Sequence, residues 1–384
     1  MKRKLRMGMV GGGPTSFIGP VHRKAIGIDG EIEIVCGAFS IVPGESEQTG
    51  AALNLDPKRV YQSYQEMFEK EKDMPADKRM DFVSVVTPNH VHFGPSKMAL
   101  EHGYHVIVEK PIAFSLEEAK ALQKIVSKTG LILALTHTYT GYPLVKHARH
   151  MVATGQIGKI RKVYVEYPQG WLSTLLEGTG NLQASWRTDP KQSGMGGAIG
   201  DIGTHAANLA EYITGHQITE ICAMLNSVVK GRKLDDDASM LLKFSNGASG
   251  VLFATQVAAG EENNLNIRVY GEKGGLEWKQ QDPNTLIVKW LDKPMEVLRT
   301  GQAYLSDQAK AFTRTPAGHP EGYLEAFANI YRAFSAAVRD FKPGKKINPA
   351  KYDFPDVEDG VRGMNFVKTA VKSSQSTRKW TVLK

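Results

Sequence analysis

The chain has 384 residues, enough for two or three domains, and its apolar, charged and aromatic shares of 41%, 23% and 8% are ordinary globular values. They exclude a disordered, collagen-like or disulfide-stapled chain. The formal net charge of +8 comes from 48 Lys and Arg against 40 Asp and Glu. The basic residues are scattered and cluster only at Lys2, Arg3, Lys4, Arg6 and near the C-terminus. No concentrated stripe exists to track a phosphate backbone, so neither nucleic acid nor membrane is expected as a partner.

The only cysteines, Cys36 and Cys222, lie in apolar runs and are expected to pack as small hydrophobes, with no disulfide. The basic start MKRKLR is followed by too short an apolar stretch for a signal peptide. No run reaches the ~18 apolar residues of a membrane span. A cytoplasmic enzyme is the expectation.

Up to residue 137, short apolar runs alternate with amphipathic ones. Strands are predicted at 5–10, 31–39, 81–86, 104–109 and 131–136, with helical patterns at 63–72, 95–103 and 115–130. Ser115 and Glu118 form a capping-box pattern for the last helix, and Gly130 ends it. Such alternation predicts a doubly wound parallel sheet, a dinucleotide-binding Rossmann domain over residues 1–137. A connecting helix over 143–160 follows. Strands at 162–167, 238–244, 249–257, 264–271 and 284–290 then succeed one another without helices, with one helix at 201–214. This texture predicts an α+β domain over 138–354 with a large, mainly antiparallel open sheet. Helical patterns at 321–341 and 355–374 complete the chain, and residues 355–384 are expected to pack back on the first domain. The fold class is α/β.

The first strand runs into Gly11-Gly12-Gly13-Pro14-Thr15-Ser16, which supplies two glycines of G-x-G-x-x-G with Ser16 in place of the third. Glycines there let the backbone turn tightly and bring amides to a pyrophosphate. The second strand ends in Ala38-Phe39-Ser40, without the acid that holds the ribose hydroxyls of NAD. No Arg follows to hold the 2′-phosphate of NADP either. NAD is favoured on that ground, with NADP left open.

Polar groups also stand beyond the ends of later strands: Thr87-Pro88-Asn89-His90-Val91-His92 and Glu109-Lys110-Pro111. In the second domain, the glycine-rich stretch 194–203 leads into Asp201 and His205, four apart and so on one helix face. His90 and His92 alternate on an extended segment without a third ligand, so no metal site is expected.

On these residues the chain resembles the Gfo/Idh/MocA family, which includes glucose-fructose oxidoreductase and inositol dehydrogenases. The likeness rests on the glycine loop, TPN with His92, the EKP triplet, the Asp201-x-x-x-His205 pair and TGQIGKI, and it spans nearly the whole length. It implies an NAD(P)-dependent oxidoreductase that oxidises a secondary hydroxyl of a sugar, glycoside or cyclic polyol to a ketone. In that pattern Lys110 contacts the reacting hydroxyl and the nicotinamide region, and Asp201 and His205 form the polar pair at the substrate. His205 accepts the proton, which suits an imidazole that titrates near neutrality.

Cofactor contacts are expected at Gly11, Gly13, Pro14, Thr15, Ser16, Ser40, Thr87, Pro88, Asn89, His92, Glu109 and Lys110. Substrate contacts are expected at His137, Tyr139, Tyr142, Trp186, Arg187, Asp201, His205 and His319. His137 either lines the pocket or is packed, and Tyr142, Trp171 and Trp186 form either a sugar-stacking wall or core packing. His22, His102, His105, His147, His150 and His216 read as structural or surface residues. Thr138-Tyr139-Thr140-Gly141 departs from the family, many of whose members place Arg after the tyrosine. The resemblance also admits a glycosidase with retained, internally recycled NAD and a non-enzymatic dinucleotide-sensing corepressor. An open sheet face implies a homodimer or homotetramer.

Overall fold

In the computed structural model, residues 3–345, 347–348 and 351–384 are described. The chain divides into two units, one running to Thr136 and including Phe327–Val361, the other comprising His137–Ala326 and Arg362–Lys384.

The first unit holds the five expected strands: β1 (Leu5–Gly11), β2 (Ile32–Ala38), β3 (Phe82–Val86), β4 (His105–Val108) and β5 (Leu133–Leu135). All pair in parallel, in the order β2-β1-β3-β4-β5. A single parallel bridge from Gly37 to Val60 extends the sheet beyond β2. This is the doubly wound order with one strand reduced to a residue. The order reverses between β1 and β3, which opens a crevice at their carboxyl ends. β3 and β4 are buried throughout, as a sheet covered on both faces requires. Ser115 caps the helix Leu116–Thr129 by accepting from the Glu118 amide, and Gly130 closes it with φ +70°.

Residues 327–361 belong to this unit and not to the second domain, where the sequence had placed those up to 354. The reason is packing: in the helix Tyr323–Asp340, the Tyr331 hydroxyl lies 2.9 Å from Ser84 Oγ of β3, and Phe334 meets Phe82 edge-on at 5.0 Å. Leu135 of β5 also donates to Pro355 O at 2.8 Å.

The second unit is built on nine strands: β6 (Lys162–Pro168), β7 (Ile218–Asn226), β8 (Asp237–Phe244), β9 (Ser249–Thr255), β10 (Asn266–Tyr270), β11 (Gly274–Lys279), β12 (Asp282–Trp290), β13 (Glu296–Arg299) and β14 (Thr381–Val382). Their order is β13-β12-β11-β10-β6-β9-β8-β7-β14. Every pairing is antiparallel except β6 with β9. β7, β11, β13 and β14 escape the sequence reading. β7 does so because a register shift between Ile218 and Glu220 breaks its alternation. One sheet face carries Val163, Val165, Leu242, Leu252 and Trp278 into a core shared with Leu144 and Leu209 of the helices Pro143–Ala153 and Thr204–Thr214. Each such buried side chain contributes roughly 1.5–3 kcal/mol. Along β6, β7, β8 and β13, Tyr164, Met224, Leu241 and Val297 are exposed.

The tail does not pack back on the first unit as a whole. From Arg362 onward it joins the second. Arg362 pairs with Glu211, the Ser373 and Ser374 hydroxyls accept the Ala223 and Leu225 amides of β7, and β14 pairs with β7. Cys36 is buried, but Cys222 on β7 is only half-buried, contrary to its apolar surroundings in sequence. No helix among the described residues is long and apolar enough to cross a membrane.

Candidate active site

In the first unit, Gly11 and Gly12 adopt φ +84° and +83°, a region closed to most side chains. A Cβ on Gly13 would stand 3.1 Å from Phe39 O and 3.2 Å from Ser40 Cβ, so the loop lies directly against the end of β2. Ser16 does not take the place of the third glycine. That place belongs to Gly19 of the helix Ile18–Ile28, where a Cβ would stand 2.5 Å from Gly12 Cα. Ser16 Oγ instead accepts the Gly19 amide at 3.1 Å. Beside the loop, Thr87 Oγ1 is buried without a hydrogen-bond partner, and Thr87 Cγ2 would stand 2.9 Å from a Cβ on Gly11. A bare backbone cradle with an unsatisfied hydroxyl at its rim fits a dinucleotide phosphate.

Two expected cofactor contacts turn inward. His92 is fully buried, with Nδ1 2.6 Å from Pro111 O and Nε2 2.8 Å from Thr87 O. It clamps the loop after β3 to the loop after β4, and burial lowers its pKa against the pull of the two carbonyls. Glu109 is also buried. Its Oε1 accepts from Thr136 Oγ1 at 2.6 Å and lies 2.8 Å from His22 Nε2, while Oε2 accepts the Lys110 amide at 3.1 Å. Burial alone would raise the Glu109 carboxyl, but His22 and Thr136 outweigh it and hold the pKa below the usual range. His22 Nδ1 continues the chain to the Tyr331 hydroxyl at 2.6 Å. Glu109 therefore fixes the backbone of Lys110. No spacing rule reveals its partner His22, which stands beside Arg23 and Lys24 in the helix Ile18–Ile28.

In the second unit, the single helix expected over 201–214 is two elements. Asp201 sits in a π-turn, Ile199–Gly203, and His205 opens the α-helix Thr204–Thr214. The turn is fixed by Asp235, whose carboxylate accepts the Gly197 and Ile199 amides at 2.8 and 2.7 Å. A Cβ on Gly197 would stand 2.0 Å from Asp235 O, which explains the glycine there. Burial pushes the Asp235 carboxyl up to about 6.

Asp201 Oδ2 accepts from Gln256 Nε2 at 2.9 Å and lies 3.3 Å from Arg187 Nε. Gln256 reaches Gln169 at 3.2 Å, and Gln169 bonds to Asn263 at 2.5 Å and to the Trp171 indole at 3.0 Å. The Arg187 guanidinium lies 4.1 Å over Trp186 and 5.7 Å over Trp171. His205 is 8% exposed, with its Nδ1 3.3 Å from His137 Nδ1, so one proton serves the two facing nitrogens. Tyr139 stands edge-on to His205 at 4.9 Å and shares a hydroxyl contact with Tyr167. Burial raises the pKa of both phenols.

This group unites His137, Tyr139, Trp186, Arg187, Asp201 and His205. Tyr142 and His319 are not part of it. Tyr142 is 2% exposed and packs between Tyr139 and Trp278 in the core, with centroids at 6.5 and 5.3 Å. His319 is exposed on a loop, with Nδ1 3.3 Å from Pro316 O. Gln169, Gln256, Asn263 and Asp235 escape the sequence reading, since they come together only through the pairing of β6, β8, β9 and β10.

Residues 5–137 match the model of the oxidoreductase family with an NAD-binding Rossmann fold, and residues 145–277 match that of the GFO/IDH/MocA C-terminal domain. These matches define an oxidoreductase with an NAD-binding Rossmann domain. Over its full length it is 33% identical to an uncharacterized oxidoreductase, YfiI, of Bacillus subtilis, covering 98% of that protein. The chain belongs to the Gfo/Idh/MocA family. It is also similar to an inositol dehydrogenase homolog from Azotobacter vinelandii. The structure of that homolog with NAD+ superposes with a TM-score of 0.95 at 37% identity, and the one with NADH and myo-inositol with 0.92 at 36%. Both comparisons cover 100% of this chain and 98% of the other. A levoglucosan dehydrogenase of Pseudarthrobacter phenanthrenivorans is 28% identical over 64% of this chain and 65% of its own.

Proposed function

We propose that the protein oxidises a secondary hydroxyl of a sugar, glycoside or cyclic polyol of inositol type to a ketone, with His205 as proton acceptor. The observation that carries this reading is the group around Asp201 and His205. An imidazole and a carboxylate stand among amides, indoles and phenols, donors and acceptors suited to a molecule covered in hydroxyls. Bound NAD would supply the acceptor for the hydride that leaves the carbinol carbon. His205 takes the hydroxyl proton, and His137 at its Nδ1 orients the ring. Asp201, held by Gln256 and Arg187, receives a substrate hydroxyl. Lys110 stabilises developing alkoxide charge, a role drawn from the family pattern, with its backbone set by Glu109. The complex of the Azotobacter homolog with myo-inositol supports the polyol class.

NAD reduction by purified protein against inositols, monosaccharides and glucosides tests the reading. Turnover with one of these classes is expected. Aglycone release without NADH accumulation would replace it by an internally recycling glycosidase, and dinucleotide binding without any turnover by a sensing role. The exposed Tyr164, Met224, Leu241 and Val297 support self-association through the open sheet. Sedimentation should then give a dimer or tetramer, and a monomer would refute it. Two unpaired thiols support a cytoplasmic, reducing setting.

A further inference from the structure

The end of β2 lacks an acid in sequence but not in space. After Phe39, the chain turns back so that Ser46 Oγ accepts the Phe39 and Ser40 amides, each at 3.1 Å. This fold-back starts the helix Glu45–Ala52 and brings Glu45 Oε2 to 2.6 Å from Ser40 Oγ, which donates to it. Ser40 in turn borders the glycine loop, its Cβ 3.2 Å from where a Cβ on Gly13 would stand. The Glu45 carboxylate is half-buried, forms no ion pair among the described residues, and has no Lys or Arg within residues 41–50. A carboxylate is thus held one hydrogen bond from the carboxyl end of β2, where a Rossmann domain receives the adenosine ribose.

We propose that Glu45 is the residue that selects NAD over NADP. Its carboxylate, positioned by Ser40, accepts hydrogen bonds from the ribose 2′- and 3′-hydroxyls and repels a 2′-phosphate. Glu45 is not apparent from the sequence because it stands five residues past the usual place of the acid and returns only through the Ser46 turn. The inference rests on NAD binding by this chain and adds the group that reads the ribose.

The test is direct titration of the protein, freed of bound nucleotide, with NADH and NADPH, followed by nicotinamide fluorescence, for wild type, Glu45→Gln and Glu45→Arg. Wild type should bind NADH about 10²-fold tighter than NADPH, the scale of a like-charge contact. Glu45→Gln should cut that ratio about 10-fold or more, and Glu45→Arg should invert it, since Arg pairs with phosphate. Wild-type affinities within 2-fold of each other, or a ratio unmoved in both variants while NADH still binds, would overturn the assignment. Failure of wild type to bind either nucleotide would instead overturn the cofactor reading itself. Thermal melting of the variants separates a folding defect from a binding one, and Glu45→Gln preserves the hydrogen bond from Ser40.

Discussion

The two units reach their chemistry by opposite means. At the carboxyl ends of β1–β3, the first unit offers mainly backbone: a Cβ would collide with backbone at Gly11 and Gly19 and sit tightly at Gly12 and Gly13, and the polar residues nearby, His92 and Glu109, are spent on fixing loops. The second unit offers side chains. Asp201, His205, His137, Gln256 and Arg187 converge from segments far apart in sequence. A ligand common to many enzymes can be held by backbone amides, whose geometry is independent of residue type. A substrate peculiar to one enzyme has to be read by side chains.

If that contrast holds, deleting one side chain in the second unit should remove catalysis without touching nucleotide affinity. His205→Ala is expected to lower kcat about 10²- to 10⁴-fold, the contribution of a general base, with NADH binding unchanged by fluorescence titration. Wild-type turnover would remove His205 from the reaction. Equal loss of NADH affinity would show that the division of labour between backbone and side chains is wrong.

Acid stability is where the units should behave alike. His105 in the first unit accepts the Ile132 amide on Nδ1, and His147 in the second accepts the Ser306 amide, both at 3.0 Å. Burial lowers both to about 4 from 6.5, helped at His147 by the charge of His150. A base depressed in the folded state contributes stability that is complete above pH 6.5 and lost as pH falls from 6.5 towards 4. The loss amounts to about 3 kcal/mol at His105 and less at His147, which lines an open cavity and is partly screened by solvent. His105→Asn and His147→Asn keep an acceptor near the Nδ1 position. Each should flatten the fall in urea-unfolding free energy between pH 7 and 4 by the corresponding amount. An unchanged slope in either variant would mean that its ring is not held neutral.

The same contrast decides what could be read before folding. The five strands of the first sheet and the glycine loop are visible because parallel strands are continuous apolar runs and a backbone site leaves a glycine spacing. Asp201 and His205 are visible as an i, i+4 pair. Their supports are not: Gln169, Gln256 and Asp235 stand near strand ends that meet only through sheet register, and Glu45 returns through a turn made by Ser46. The chain's crossing back between units at residues 327 and 362 is equally silent, because an amphipathic helix does not name the sheet that it covers.

One helix holds both a crowded glycine and a free one. Gly19 and Gly27 both lie in Ile18–Ile28, and propensity alone says that alanine would improve either by about 0.8–1 kcal/mol. At Gly27 nothing stands within 4 Å of the added Cβ, so the gain should survive as a small rise in Tm with kcat unaltered. At Gly19 the same methyl meets the Gly12 backbone at 2.5 Å, and backbone cannot swing aside as a side chain end does. Overpacking of that kind costs about 1–3 kcal/mol, which exceeds or cancels the helical gain. Gly19→Ala should therefore lower Tm relative to Gly27→Ala and, if the loop holds the nucleotide as expected, weaken NADH binding, because the helix start is displaced from the glycine loop against which it packs. Equal melting and equal NADH affinity in the two variants would mean that the loop adapts, and the spacing of Gly11, Gly13 and Gly19 would then carry less than the geometry assigns to it.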